Sequence, residues 1–326
     1  MGWAHEHAQP VHVLGGGSNL VIADGGVPGL LLQPSSQDIH PADPIDGRTA
    51  LRVGAALPLD QLVTYTLQQG LFGLECLSGI PGHVGATPIQ NVGAYGAEVA
   101  DTIIAVEAQC LKTGAHRIFS QADCAFGYRD SYFRRHLGSY FIHAVTFALQ
   151  PTKPAPLRYR ELQQQLSAAA AEDGQAIRNA VLTLRRSKGM VLDPADPHSR
   201  SAGSFFKNPI VAQHQADAIQ EQYQRSLTPG HSATMPRYPA QAGYSKLSAA
   251  WLIEQAGLKR GTRRGPVGIS ARHSLALVHY GGGRTADLLA LAREVQGRVL
   301  DHCGVQLAPE PIFLGFKEPP LAHATH

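Results

Sequence analysis

Cysteine is scarce in this sequence: Cys76, Cys110, Cys124 and Cys303 are the only four in 326 residues, and no two form a Cys-x-x-Cys pair. That excludes a zinc ribbon or a dithiol redox centre and leaves reduced, mostly buried thiols. Long apolar runs are missing, so nothing spans a bilayer. The opening Met1-Gly2-Trp3-Ala4-His5-Glu6-His7 has neither the basic start nor the apolar core of a secretion signal. A cytoplasmic chain with no membrane partner is expected. An excess of one charge is lacking too, since 28 basic residues against 25 acidic ones give +3. The pairs Arg134-Arg135, Arg185-Arg186 and Arg263-Arg264 are scattered, so the footprint of a nucleic-acid binder is absent. The 16 histidines show no His-Glu-x-x-His or similar one-face spacing, and His5/His7 and His323/His326 read as frayed ends, so no metal is expected.

What the sequence does concentrate is glycine. Pro81-Gly-His-Val-Gly-Ala-Thr-Pro-Ile-Gln-Asn-Val-Gly-Ala-Tyr-Gly96 sets Gly82, Gly85, Gly93 and Gly96 among small or singly polar residues. Such a stretch lets bare backbone amides approach a ligand, although on glycine content alone a loop of tight turns explains it equally well. Upstream, Val11-His12-Val13-Leu14 reads as a strand entering Gly15-Gly16-Gly17-Ser18-Asn19, with Leu20-Val21-Ile22 a second strand. Consecutive amides and small polar groups suit a pyrophosphate, and a plain turn suits the pattern as well. It is no dinucleotide fingerprint, because no helix pattern follows and the Gly-x-Gly-x-x-Gly spacing is absent.

The length favours two domains. After a Pro- and Asp-rich loop over 34–47, Leu51-Arg52-Val53 is a strand, and Asp60 is placed to cap a helix carrying Leu62, Val63 and Leu67 that ends at Gly70. Ile104 to Cys110 alternates, Lys112-Thr113-Gly114 turns, His116 to Phe119 returns, and Phe141 to Leu149 alternates again. Strands and helices mix without a regular repeat, which predicts an α+β fold rather than a doubly wound one. Within Tyr128-Arg129-Asp130-Ser131, Arg129 is either a surface ion pair or a planar fork for a carboxylate. Ile177, Ala180, Val181 and Leu184 make a helix running to Lys188, and Asp193-Pro-Ala-Asp-Pro197 marks a domain boundary. Ser204, in Gly203-Ser-Phe-Phe-Lys-Asn-Pro209, lies beside an apolar wall, or simply in a turn over a Phe-Phe core. It does not sit in a Gly-x-Ser-x-Gly elbow. Ser245 is placed to cap a helix with Leu247, Ala250 and Trp251, and Thr285 a longer one with Leu288, Leu291, Ala292, Val295 and Val299. Glu310, between two prolines, enters an apolar strand.

With these five motifs in one order, the chain resembles the UDP-N-acetylenolpyruvoylglucosamine reductase (MurB) family from about Val11 to Gly315. The resemblance implies an FAD-binding domain of the PCMH/MurB type in two lobes over 1–186 and a separate α+β substrate-binding domain over 187–305. A returning strand with Glu310 and a disordered tail would fill 306–326. It implies a cytoplasmic, monomeric flavoenzyme of cell-wall synthesis with non-covalent FAD, NADPH as hydride donor, and UDP-N-acetylglucosamine enolpyruvate as its small-molecule substrate. Carried over residue by residue, Gly15, Gly16, Gly17, Ser18, Asn19, Pro81, Gly82, Gly85, Ala86, Gln90, Asn91, Gly93, Ala94, Tyr95 and Gly96 would hold FAD. Arg129 and Glu310 would hold charge on the enolate, and Ser204 would protonate C2. Tyr159, Lys188 and Asn208 match substrate contacts; at His273 and Ser274, where some members use a Gln, no role carries over.

Members usually carry a strand-helix unit before the first glycine turn, so either translation begins upstream or the flavin lobe is incomplete. The intact downstream motifs favour the upstream start. Two rivals stand beside this reading. One is an inactive nucleotide-sugar binding relative, against which the joint presence of Arg129, Ser204 and Glu310 speaks. The other is a related oxidase with covalent flavin, for which His83 is the only candidate, because Ser18 stands where an attachment histidine would be. An incomplete lobe would bind FAD poorly, so purification with stoichiometric flavin excludes it. Denaturation should then release that flavin into the supernatant, and a yellow protein pellet would favour the oxidase.

Overall fold

The computed structural model describes residues 2–226 and 234–322. His323 and His326 lie outside the described residues. Two compact units emerge, one comprising Met1–Ser18 and Pro28–Leu192, the other Asn19–Val27 and Asp193–His326. No helix among the described residues is long and apolar enough to cross a membrane.

The first unit is built on an antiparallel sheet in the order Ile39–Ile45, Arg48–Gly54, Tyr140–Leu149, Ile103–Cys110, His116–Ser120. Alternation works as the sequence suggests at Val53, Val106, Phe119, Val145 and Phe147, all fully buried, while Ile118 between its neighbours is exposed. Each such side chain contributes about 1.5–3 kcal/mol on leaving water. The first strand is a departure, because the Pro-rich 34–47 stretch is not all loop. Ile39–Ile45 takes the sheet edge, where Pro41 and Pro44 need not donate to a ladder, with an irregular register between Ala42 and Ile45. A separate parallel pair joins Val11–Val13 to Leu30–Leu32.

Helix Leu59–Gln68 lays Leu62 and Val63 onto the core. Asp60 does not cap it. Pro58 occupies the cap position, and the Asp60 carboxylate accepts the Gly79 amide at 2.6 Å and the two guanidinium nitrogens of Arg178 at 2.6 and 2.8 Å. This ties the helix to helix Gly174–Ser187, whose Ile177, Val181 and Leu184 form a satellite core with Cys76 and Leu162. It also pins the backbone two residues before Pro81.

The second unit has a four-stranded antiparallel sheet ordered Ser201–Ser204, Ala276–His279, Val267–Ile269, Arg263–Arg264, and a three-stranded one ordered Ile210–Ala212, Tyr244–Leu247, Arg237–Tyr238. Helix Thr285–Cys303 buries Leu289, Leu291, Ala292, Val295 and Val299 and ends at Gly304 with φ 65°. Thr285 is its first residue rather than its cap, and its amide is taken by Asp24 at 2.7 Å. Ser245 is likewise no cap. It lies on a strand and donates to Gln213 at 2.6 Å, while Ser248 caps helix Ala249–Gln255 by accepting the Trp251 amide. The parallel pair Leu20–Ile22 and Ile312–Leu314 belongs to this unit. Cys76 and Cys124 are buried, which pushes their thiols up to about 12, whereas Cys110 and Cys303 are half-buried.

Burial alone would raise the Asp60 carboxyl, but the Arg178 fork and the Gly79 amide outweigh it and hold it below the ordinary carboxylate value. A depressed carboxyl stabilises the fold above its unfolded-state pKa, and that contribution is lost as pH falls through the folded one. Asp60→Asn should therefore cost about 1–2 kcal/mol near neutrality, at the modest end because the carboxylate is part-exposed. In urea unfolding the penalty should shrink as pH falls below the ordinary carboxylate value of about 3.9 and the wild-type group begins to take up its proton; a penalty independent of pH would refute this account.

Candidate active site

In the first unit the glycine turn and the glycine-rich loop lie backbone to backbone. A Cβ on Gly16 would stand 2.9 Å from the Gly82 Cα, and one on Gly82, where φ is +107°, 2.8 Å from the Ser18 Oγ. Ser18 donates to the Pro81 carbonyl at 3.2 Å. Gly15 is nearest Ala86, at 3.7 Å, and Gly17 at φ +71° faces open space. Further along, the loop is stitched to the sheet, with the Val84 amide on Leu57 and the Gly85 amide on Ala55, both at 2.9 Å. A Cβ on Gly85 would meet Ala55 at 2.6 Å, so this glycine serves close packing, and the Ala86 amide is taken by His83. His83 Nδ1 is buried and meets no hydrogen-bond partner among the described residues.

The second half of the loop is organised by Asn91, buried and in the left-handed region at φ 47°. Its Nδ2 donates to Glu98 at 2.7 Å and to the Gly127 carbonyl at 3.0 Å, while its Oδ1 accepts the Ala100 amide at 3.1 Å. Hairpin Gly93–Glu98 and the Gly127–Asp130 turn are thereby locked to the loop. Arg129 sits in that turn at φ 52°, which few non-glycine residues adopt, and its Nη2 donates to the Gly93 carbonyl at 2.7 Å. Asp130 pairs with Arg135 instead, so the Gly93 backbone, not the neighbouring acid, aims the guanidinium.

Tyr95 and Gly96 pack on the Arg158–Tyr159 backbone, since a Gly96 Cβ would stand 3.3 Å from the Tyr159 amide. The Tyr95 and Tyr159 rings meet edge to face at 5.3 Å, and Lys188 donates to Glu161 at 2.7 Å with its Nζ 5.9 Å from the Tyr95 ring. Burial pushes the Tyr95 phenol up to about 12, Arg185 opposing. Tyr159 and Lys188 thus both lie near the Tyr95 ring. Glu161 and the buried Arg185, which donates to the Met190 carbonyl at 2.6 Å, were not foreseen, because nothing local marks them.

In the second unit Gly203, at φ +75°, breaks the register between Ser201 and Ser204. Phe205 and Phe206 behind Ser204 are buried. The Glu310 amide donates to the Phe205 carbonyl at 2.9 Å, Phe206 bridges Pro309, and the Lys207 amide reaches Ala308 at 2.9 Å. Ser204 and Glu310 are therefore held on neighbouring extended segments. Asn208 Oδ1 accepts the Ala249 amide at 3.0 Å. Asn19 belongs to this unit and grips the same segment, its carbonyl accepting the Ile312 amide at 3.0 Å. His273 Nε2 lies 3.5 Å from Ser204 Oγ.

A family model described as the C-terminal domain of UDP-N-acetylenolpyruvoylglucosamine reductase matches residues 194–314, and an FAD binding domain model matches residues 1–118. The UDP-N-acetylenolpyruvoylglucosamine reductase of Thermobifida fusca (strain YX) is 46% identical over 309 residues, covering 94% of this chain and 86% of that protein. The chain belongs to this family. The Mycobacterium tuberculosis (strain ATCC 25618 / H37Rv) reductase is 44% identical over 93% of this chain and 82% of its own length. The crystal structure of the Thermus caldophilus reductase (MurB) aligns with a TM-score of 0.63 at 27% identity, over 96% of this chain and 88% of that one. The expected α+β fold, with an FAD-binding domain and a MurB C-terminal domain, is borne out.

The residues present fit the cofactor of a MurB reductase. Two backbones touching at Gly16 and Gly82 leave a surface without side chains, as a pyrophosphate needs, and the buried His83 Nδ1 awaits a partner. Gly16→Ala must push Gly82 away. Its flavin-to-protein absorbance ratio should fall several-fold, whereas Gly25→Ala, where a Cβ meets nothing within 4 Å, should leave the ratio unchanged; full flavin loading of Gly16→Ala would overturn the cradle.

Proposed function

We propose that the chain carries out the reaction for which its family is named: NADPH-dependent reduction of UDP-N-acetylglucosamine enolpyruvate to UDP-N-acetylmuramate, in peptidoglycan synthesis. It is an FAD-dependent oxidoreductase. Residues of 1–186 would hold FAD, which when bound would supply hydride, taken from NADPH, for C3 of the enolpyruvyl group. Residues 187–305 receive the substrate, and 306–326 return Glu310 to Ser204. The observation that carries this reading is the pairing of the Phe205 carbonyl with the Glu310 amide, which holds the segments carrying Ser204 and Glu310 beside one another next to two buried aromatic rings.

Hydride arriving at C3 leaves negative charge at C2 that spreads into the carboxylate. Arg129 cannot lose its proton, so its guanidinium, aimed by Gly93, holds that charge, and Glu310 assists as a hydrogen-bond donor. Ser204 delivers the proton to C2. A serine hydroxyl is a weak acid in water and acts here because Phe205 and Phe206 exclude water and the carbanion is strongly basic. Tyr159, set against Tyr95, contacts the substrate's diphosphate, and Lys188, paired with Glu161, and Asn208 make further substrate contacts. Gly15 to Asn19 and the 81–96 loop hold FAD, and within that loop Asn91 acts by bracing the backbone.

Ser204→Ala should leave flavin reduction by NADPH nearly intact while slowing flavin reoxidation by the enolpyruvyl substrate about 10²–10⁴-fold. Equal losses in both half-reactions, followed by stopped-flow absorbance, would refute the assignment.

A further inference from the structure

His273 occupies the turn between strands Val267–Ile269 and Ala276–His279, and that turn is braced far more than a reversal of chain direction requires. Ser270 is buried, accepts the Arg272 amide at 3.1 Å and contacts His198 Nδ1 at 3.3 Å. The Arg272 guanidinium reaches Asp196 at 2.7 Å. On the other side the buried Ser274 donates to Glu254, and the Ala276 amide closes on the His273 carbonyl at 3.0 Å. The product of this bracing is an imidazole whose Nε2 lies 3.5 Å from the hydroxyl of Ser204, at the outer limit of a hydrogen bond.

A serine hydroxyl has one hydrogen and two lone pairs. If Nε2 accepted, the hydrogen would point at the ring and could not reach a substrate. If Nε2–H donates, the lone pair is occupied and the hydrogen turns outward. A protonated imidazole has N–H on both nitrogens and can only donate. We propose that His273 is the positioning residue of Ser204, donating from Nε2 so that the serine proton faces the substrate, and then restoring that proton. The serine O–H bond breaks as the C2–H bond forms; the alkoxide takes the Nε2 proton of the imidazolium, and the neutral ring recovers a proton from water. Ionisable groups on the elements packed around the turn are already engaged: Arg272 with Asp196, Glu254 with Arg260 at 3.3 Å, and His198 with Ser270. Glu310 approaches from the segment paired with Phe205. Imidazole is the side chain whose charge ordinarily changes between about pH 5 and 8.

The proposal rests on Ser204 as proton donor, and the experiment separates the two. Reductive and oxidative half-reactions of the holoenzyme would be followed by stopped flow across this pH range for wild type, Ser204→Ala, His273→Gln and His273→Ala. Wild-type reoxidation by substrate should fall as pH rises along a single titration. The Gln variant keeps an N–H donor without a titrating proton, so its reoxidation should be about 10-fold slower and flat with pH, and the Ala variant about 100-fold slower. Flavin reduction by NADPH should be unchanged in both. In ¹⁵N-histidine NMR of the holoenzyme, the His273 ring signals should shift on Ser204→Ala. A Gln variant that keeps the wild-type pH limb, an Ala variant at wild-type rate, or equal loss in both half-reactions of the Ala variant overturns the role of His273 while leaving that of Ser204. A harmless Ser204→Ala overturns both.

Discussion

The carboxamide of Asn91 is buried, and a buried amide is tolerable only when its hydrogens and oxygen are matched. Here both Nδ2 bonds and one Oδ1 bond are spent on three different segments: the Gly93–Glu98 hairpin, the 99–101 turn that follows it, and the turn containing Arg129. Replacing it removes at once one donor from the Glu98 carboxylate, one donor from the Gly127 carbonyl and the side-chain acceptor of the Ala100 amide. The charge of Arg129 is therefore only as well placed as an uncharged side chain two residues from Gly93 allows. The left-handed backbone at both Asn91 and Arg129 is the strain this arrangement stores.

The second unit solves the same problem with backbone alone. Phe205, Phe206 and Lys207 run alongside Ala308, Pro309 and Glu310, so the backbone segments carrying Ser204 and Glu310 take their spacing from a strand ladder rather than from a network of side chains. The glycine before Ser204 pays for this with a left-handed conformation that disrupts pairing with the neighbouring strand. A serine on a ladder backed by two buried rings is stiff, which suits the proposed protonation, in which a weak acid must meet a short-lived base.

Much of the cradle was legible because glycine is demanded wherever backbones touch, and Gly16 and Gly82 are such places. Gly85 and Asn91 show the limit: both sit in the motif, yet one packs on Ala55 and the other cross-braces the chain, distinctions that composition does not encode. Asp60 was misread because an acid at a helix start resembles a cap, whereas Pro58, with its fixed φ, already held that place and Arg178 claimed the carboxylate from 118 residues away. Ser245 reads as a cap three residues too early, because the strand pairing that holds Tyr244–Leu247 extended, and leaves the cap to Ser248, has no local signal. His273 carried no local signal, since its relation to Ser204 spans 69 residues.

The parallel pairing of Leu20–Ile22 with Ile312–Leu314 has a consequence for synthesis on the ribosome. Leu20–Ile22 must wait, without its partner strand, until Ile312–Leu314 has been translated. Closing so long a loop is only modestly unfavourable in entropy, growing as its logarithm, but it is slow, and an unpaired apolar strand edge is sticky meanwhile. The second unit thus acquires this strand pair late, and the nascent Leu20–Ile22 edge stays unpaired until then.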